Sequence, residues 1–191
     1  MRRLITAWCA ARIALAAAIV AGASLGASTA GLAEIGTTGV AQVGGVWRRD
    51  SHVFSGLLIE RDEAGVARML VGIADGRADG HEWRWYGDGS LESIREYAIG
   101  HKVGFHRGWW PNGARRFEGG YQDDGFHGTY KAWYASGRLA EIRTYVDGRE
   151  SGLQQSWTPD GVLFLNYDMR GGRRYGMVNA RPCMPAGKAT S

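Results

Sequence analysis

The feature that most constrains this chain is an internal repeat with a period of 24 residues. Residues 81–104 read HEWRWYGDGSLESIREYAIGHKVG and 105–128 read FHRGWWPNGARRFEGGYQDDGFHG. Residues 129–152 read TYKAWYASGRLAEIRTYVDGRESG, and 153–176 read LQQSWTPDGVLFLNYDMRGGRRYG, all without gaps. Trp85, Trp109, Trp133 and Trp157 share one column, Gly89, Gly113, Gly137 and Gly161 a second, and Gly104, Gly128, Gly152 and Gly176 a third. A fourth holds Tyr97, Tyr121 and Tyr145, with Met169 in the last block. Such a period means stacked copies of one small unit, none of which buries its apolar surface alone. Upstream, residues 57–80 keep Gly65, Gly76 and Gly80 in their columns but carry Arg61 where tryptophan belongs. A degenerate outer unit suits an end cap. Residues 34–56, with Trp47 and Phe54, read as a leading strand or cap without clear register.

Each block reads as one hairpin. Asp88-Gly89, Asn112-Gly113, Ser136-Gly137 and Asp160-Gly161 sit between strand-like segments. Asp-Gly and Asn-Gly favour tight primed turns, which need positive φ. A second turn carries Gly100, Gly148 and Gly172, with Gly125 as the shifted equivalent in the 105–128 block. Two-residue alternation puts Leu139, Glu141, Arg143 and Tyr145 on one face and Ala140, Ile142, Thr144 and Val146 on the other. Neither set is wholly apolar, so one side should be better buried and the other wet. If neighbours share the tryptophan column, each ring contributes up to about 4–6 kcal/mol from roughly 150–250 Å² of burial. On that basis Trp133→Ala should destabilise more than Tyr130→Ala.

The pattern in Trp85-Tyr86, Trp109-Trp110-Pro111-Asn112-Gly113, Trp133-Tyr134 and Trp157-Thr158-Pro159-Asp160-Gly161, closed by glycines four apart, resembles the MORN-repeat-variant family. The resemblance covers residues 57–176 and is clearest over 81–176. It implies an all-β fold: a single-layer antiparallel meander of stacked β-hairpins, a MORN-like repeat array, here preceded by an N-terminal signal helix. Proteins of this kind are labelled membrane-binding or antitoxins, so the resemblance implies a binding role rather than a reaction. Arg61, Met169 and Tyr167 depart from the pattern.

The start of the chain is an address. Residues 1–33 contain Arg2, Arg3 and Arg12 but no acid, then an alanine-rich apolar run and small residues through Ser28-Thr29-Ala30 and Gly31-Leu32-Ala33. That pattern describes a secretory signal peptide cut near Ala30 or Ala33, with an uncleaved anchor as the alternative. The whole chain has 23 Lys+Arg against 19 Asp+Glu, a net charge of +4. Without the three leader arginines the balance is 20 against 19, so a basic nucleic-acid footprint disappears. The organisation is then a signal peptide over 1–33, a cap over 34–56, a repeat domain over 57–176 and a tail over 177–191. Within the repeat domain, 57–80 is degenerate and 81–104, 105–128, 129–152 and 153–176 are regular. The expected location is the periplasm or cell envelope.

No catalytic constellation emerges. His52, His81, His101, His106 and His127 read most simply as solvated turn histidines. Glu92, Glu118 and Glu141 fall near equivalent columns, where a polar ladder is a wet face. There is no Gly-x-Ser-x-Gly, phosphate-cradling loop or His-Glu-x-x-His. In the tail, Cys183 and Met184, with Met177 nearby, offer soft sulfur to Cu(I), an alternative role in copper or thiol handling. The expectation is a non-enzymatic exported binding or scaffold module without cofactor. Its partner is a cell-envelope protein, with membrane-surface contact as a further possibility and no nucleic acid; an antitoxin-like binder is another alternative. The candidate binding residues are Arg107, Arg116, Glu118, Glu141 and Arg143.

Overall fold

A computed structural model describes residues 31–36 and 39–177. Residues 1–30 of the expected signal helix, and Cys183 and Met184, lie outside it. Every described element is a β-strand. The chain forms two compact units, divided at Lys102.

The first unit contains β1 (Leu32–Glu34), β2 (Val40–Val43), β3 (Val46–Arg49), β4 (His52–Val53), β5 (Gly56–Arg61), β6 (Ala67–Ala74), β7 (Arg77–Trp85) and β8 (Leu91–Ala98). Its main sheet has the order β1-β5-β6-β7-β8. β1 is parallel to β5, and the remaining pairs are antiparallel. The stretch expected to hold a leading strand is a separate three-stranded sheet, β2-β3-β4. Leu58 pairs with Val71 and Ile59 with Leu70, so adjacent residues supply opposite faces of the main sheet. On one side Leu58, Met69, Val71 and Ile73 pack with Val40 and Trp47 of the small sheet and with Phe54, which follows it. On the other, Ile59, Ala67 and Leu70 pack with Leu32, Trp83 and Trp85. This aliphatic core is what the degenerate 57–80 unit has in place of aromatic columns.

The second unit begins within β9 (His101–Trp109). It continues through β10 (Arg115–Gln122), β11 (Gly125–Phe126), β12 (Gly128–Trp133), β13 (Leu139–Val146), β14 (Arg149–Glu150), β15 (Gly152–Trp157), β16 (Leu163–Arg170) and β17 (Arg173–Met177). The order is β9-β10-β12-β13-β15-β16-β17, an antiparallel meander, with β11 on β10 and β14 on β13. The hairpin register expected from the columns is present, and its turns explain the glycines.

The two turn types are the reverse of the simple expectation. At Asp88-Gly89 the amide of Gly89 donates to Tyr86 O at 3.0 Å and that of Tyr86 to Ser90 O at 2.9 Å. Only Gly89 of this loop has positive φ, so it is a type I turn closed by a left-handed glycine. The same pair of bonds recurs at Trp110–Ala114, Tyr134–Arg138 and Thr158–Val162. Asp88 Oδ1 and Asn112 Oδ1 accept the amides two residues on, which favours aspartate or asparagine before the glycine.

The primed turns lie at the other strand ends. Ile99 and Gly100 have φ of 50° and 88°, and Asp147 and Gly148 have 49° and 74°. In the 105–128 block the pair is Asp123 and Asp124, at 47° and 67°. Gly125 is therefore not a shifted turn glycine; it starts β11, and Asp124 holds the column. Asp124 is kept there by its neighbour: its Oδ1 accepts the Lys102 amide at 2.8 Å, and its own amide donates to Lys102 O at 3.1 Å.

The block-closing glycine stands opposite the tyrosine column, as in Gly104 with Tyr121 and Gly128 with Tyr145. Gly128 has φ of 80°, which glycine adopts without steric cost. Three of the tryptophans mark irregularities in register, between Arg84/Trp85, Ala132/Trp133 and Ser156/Trp157. Trp109 stands at the same kind of shift, and in all four blocks the extra residue lies on the strand opposite the tryptophan: Glu92, Arg116, Ala140 and Phe164. Bulges raise local twist beside each type I loop. All four rings are partly rather than fully buried.

Candidate binding face

Pairing in the second unit assigns its side chains to two faces. Phe117 pairs with both Gly108 and Ala132, Ala132 with Glu141, Glu141 with Ser156 and Ser156 with Leu165. The next row on that side contains Gly119 opposite His106, Tyr130 opposite Arg143, and Gln154 opposite Tyr167. Alternation places Arg107, Glu118, Lys131, Ile142, Gln155 and Asn166 on the reverse.

The first face is the covered one. His106, Gln154, Ser156 and Tyr167, the buried side chains described in this unit, all lie on it. Its cover is aromatic and polar instead of aliphatic. His106 stacks on Tyr121 at 4.2 Å, Tyr121 meets Phe126 at 4.5 Å, and Phe126 meets Tyr145 at 4.9 Å and the edge of Tyr130 at 5.1 Å. The rings lie close to the sheet because glycine is beneath them. A Cβ built on Gly108 would stand 2.2 Å from the Phe117 ring, and one on Gly119 would stand 2.8 Å from Tyr130.

Beside the rings, Arg143 donates to Glu141 at 3.2 Å, Glu150 at 3.4 Å, Ser156 Oγ at 3.3 Å and Tyr167 Oη at 3.3 Å. The Tyr167 hydroxyl donates onward to Glu150 at 2.8 Å. Burial works against the Arg143 charge, but the bond to and charge of Glu141 outweigh it, and its pKa is raised. Burial pushes the Tyr130 phenol up to about 12, helped by Glu141, and raises Tyr145 as well. Tyr167 is raised by burial and then by its bond to Glu150. The phenols are protonated and the guanidinium charged at neutral pH, so the face offers stacking and hydrogen-bonding groups.

The reverse face is wet. Arg107 pairs with Glu118, and its guanidinium lies 4.7 Å from the Phe105 ring. Arg115 is bonded to Glu118 and lies 5.9 Å from the Trp133 ring. Phe105, Leu153 and Tyr175 are exposed, and Leu153 and Tyr175 flank Asp168 in one row.

The five candidate residues therefore do not converge. Arg107 and Glu118 lie on the wet face, whereas Glu141 and Arg143 belong to the covered network. Arg116 sits at the bulge, its guanidinium 5.7 Å from Trp110 and 5.4 Å from Phe117. Glu118 and Glu141 cannot form one ladder across opposite faces. The histidines also divide. His52, His101 and His127 are exposed, His81 stacks on Trp83, and His106 is 2% exposed, contrary to its reading as a solvated turn residue. No three His, Cys, Asp or Glu among the described residues are grouped to hold a metal. Met177 ends β17.

The sequence reading passes over Tyr130, Phe126, Glu150, Gln154 and Tyr167. A usable signal is present in the period: His106, Tyr130 and Gln154 occupy one column, one residue type per block. Identity-based columns conceal it because the covered face, not residue type, is what repeats. Compared with known proteins, the chain matches no family model and no curated protein.

Proposed function

We propose that this chain is an exported, non-enzymatic repeat protein that binds or scaffolds a cell-envelope protein through the wet face of its second unit. The observation that carries this reading is the asymmetry of that unit. One face is closed over its own stacked rings and the Arg143 network, while the other presents exposed Phe105 beside Arg107 and Glu118 at its β9 side and exposed Leu153 and Tyr175 farther along the sheet. Apolar groups framed by charge are the usual anatomy of a protein-binding patch. The regular hairpin register supports the MORN-repeat-variant reading of the array. In this division of labour Glu141 and Arg143 hold the covered face, and Arg107 and Glu118 contact the partner.

Crosslinking and pull-down from the cell envelope test the proposal. Arg107→Glu with Leu153→Asp should abolish recovery of the crosslinked partner with the melting temperature unchanged. Recovery equal to that of the unaltered chain refutes it. A membrane-surface reading is favoured by one feature, exposed Tyr175 directly after Arg173 and Arg174. Flotation with anionic liposomes supports that reading if salt releases the protein, and absence of flotation ends it.

A further inference from the structure

We infer that the leader is removed between Ala30 and Gly31, so that the mature chain keeps β1 as the first structural strand of the main sheet. This rests on the proposed export. Both Ser28-Thr29-Ala30 and Gly31-Leu32-Ala33 have the small-x-small form that a signal peptidase accepts, so local sequence does not choose between them. The fold does. Leu32, Ala33 and Glu34 pair in parallel with Leu57, Leu58 and Ile59. Ala33 is 1% exposed and belongs to the cluster containing Leu58 and Phe54, while Leu32 packs on the opposite cluster around Ile59.

Polar groups fasten the same segment. Arg49 donates to Leu32 O at 3.2 Å, the Ile35 amide donates to Ile59 O at 3.0 Å, and Arg61 lies 3.9 Å from Glu34. Gly56 completes the seat: a Cβ there would stand 2.1 Å from Gly31 O, so the backbone of Gly31 already lies against the sheet. A cut after Ala33 removes Leu32 and Ala33 from both clusters and takes away the carbonyl that Arg49 meets. A cut after Ala30 leaves β1 and all of these contacts in place. It leaves one residue before β1, and the new amine falls at exposed Gly31, where water solvates it.

The step is hydrolysis. A membrane signal peptidase breaks the Ala30–Gly31 amide; water supplies hydroxide to the Ala30 carbonyl carbon and a proton to the Gly31 nitrogen. Arg61 also gains a reason to stand where the other blocks have tryptophan, since in the first unit that position faces β1 through Glu34.

The full chain, tagged at its C-terminus and expressed in an export-competent bacterium, is purified from the envelope fraction and its N-terminus read by intact mass and Edman sequencing. A Gly31 start supports the inference. A Glu34 start, or Met1 retained on a membrane-bound chain, overturns it and leaves export standing. Met1 retained on a cytosolic chain overturns export itself. Leaderless chains starting at Gly31 and at Glu34 provide a test independent of processing. The Glu34 chain should melt at least about 5 °C lower or fail to fold; equal melting of the two overturns the structural reason.

Discussion

Gly108→Ala is the sharpest probe of the covered face. Gly108 is buried in β9 with the Phe117 ring directly over it, and a methyl group there would meet three ring atoms at 2.2, 2.7 and 2.8 Å. Its φ is not positive, so alanine carries no backbone penalty and reduces the entropy of the unfolded chain by about 0.4–1 kcal/mol. Displacing the ring works the other way, at about 1–3 kcal/mol for overpacking. The net expectation is a loss of about 1–2 kcal/mol, or roughly 4–15 °C in melting temperature for a unit of this size. A double-mutant cycle isolates the cause. In a Phe117→Ala background the ring is gone, and Gly108→Ala should become neutral or stabilising by about 0.5 kcal/mol, a coupling of roughly 1–2.5 kcal/mol. Urea denaturation of the four proteins measures it. Additive effects of the two substitutions would mean that Phe117 does not lie over Gly108, and the layered account of this face would fail.

Asp124 provides a test of the primed turn. Asp124→Ala keeps the left-handed backbone while losing the bond to the Lys102 amide, and should cost about 1–2 kcal/mol. Asp124→Gly loses the bond but relieves the backbone, so it should be near neutral; equal melting of the two variants refutes the turn assignment. The raised Tyr130 pKa predicts an alkaline effect. The folded state holds that proton more tightly, so its contribution is complete below pH about 10 and is lost as pH rises toward about 12. Discounted for partial exposure, the loss is about 1–2 kcal/mol, and Tyr130→Phe should lack it; parallel stability–pH curves refute the shift. Finally, Tyr130→Ala should lower the melting temperature at least as much as Trp133→Ala. Tyr130 meets Phe117, Phe126 and Gly119, whereas the described ring contact of Trp133 is the Arg115 guanidinium.

That last order reverses the expectation from the tryptophan column, and the reason is instructive. A column of identical residues reports a shared backbone requirement as readily as shared burial. Trp133 marks a bulge in every sense that repeats, while its ring stays partly exposed. The glycines are legible because a left-handed φ admits few residues, and the period and hairpins follow from them. Asp124 escapes the pattern because aspartate tolerates the same φ when its carboxylate finds an amide. The cap sheet over Val40–Val53 escapes for a similar reason. Its turn at Asp50 and Ser51 has φ of 48° and 74° without a glycine, although Gly44-Gly45 in the preceding hairpin is a fair signal. The alternation of Glu141, Arg143 and Tyr145 correctly puts them together, yet their polarity suggests water when in fact Arg143 hydrogen-bonds Glu141 and Tyr145 stacks on Phe126. Net charge and polarity do not tell a satisfied network from a wet surface; the partners do.

The Asn112-Gly113 loop also sets how this protein ages. Asparagine followed by glycine is the dipeptide in which the side-chain carbonyl is most readily attacked by the next backbone nitrogen, closing a succinimide with loss of ammonia. Here that nitrogen donates to Trp110 O at 2.8 Å, while the Asn112 amide reaches across to Ala135 O at 2.7 Å and its oxygen holds the Ala114 amide. Deamidation therefore requires the loop to open first. The fraction of isoaspartate at residue 112 in a stored sample is then a clock that runs only while that loop is open.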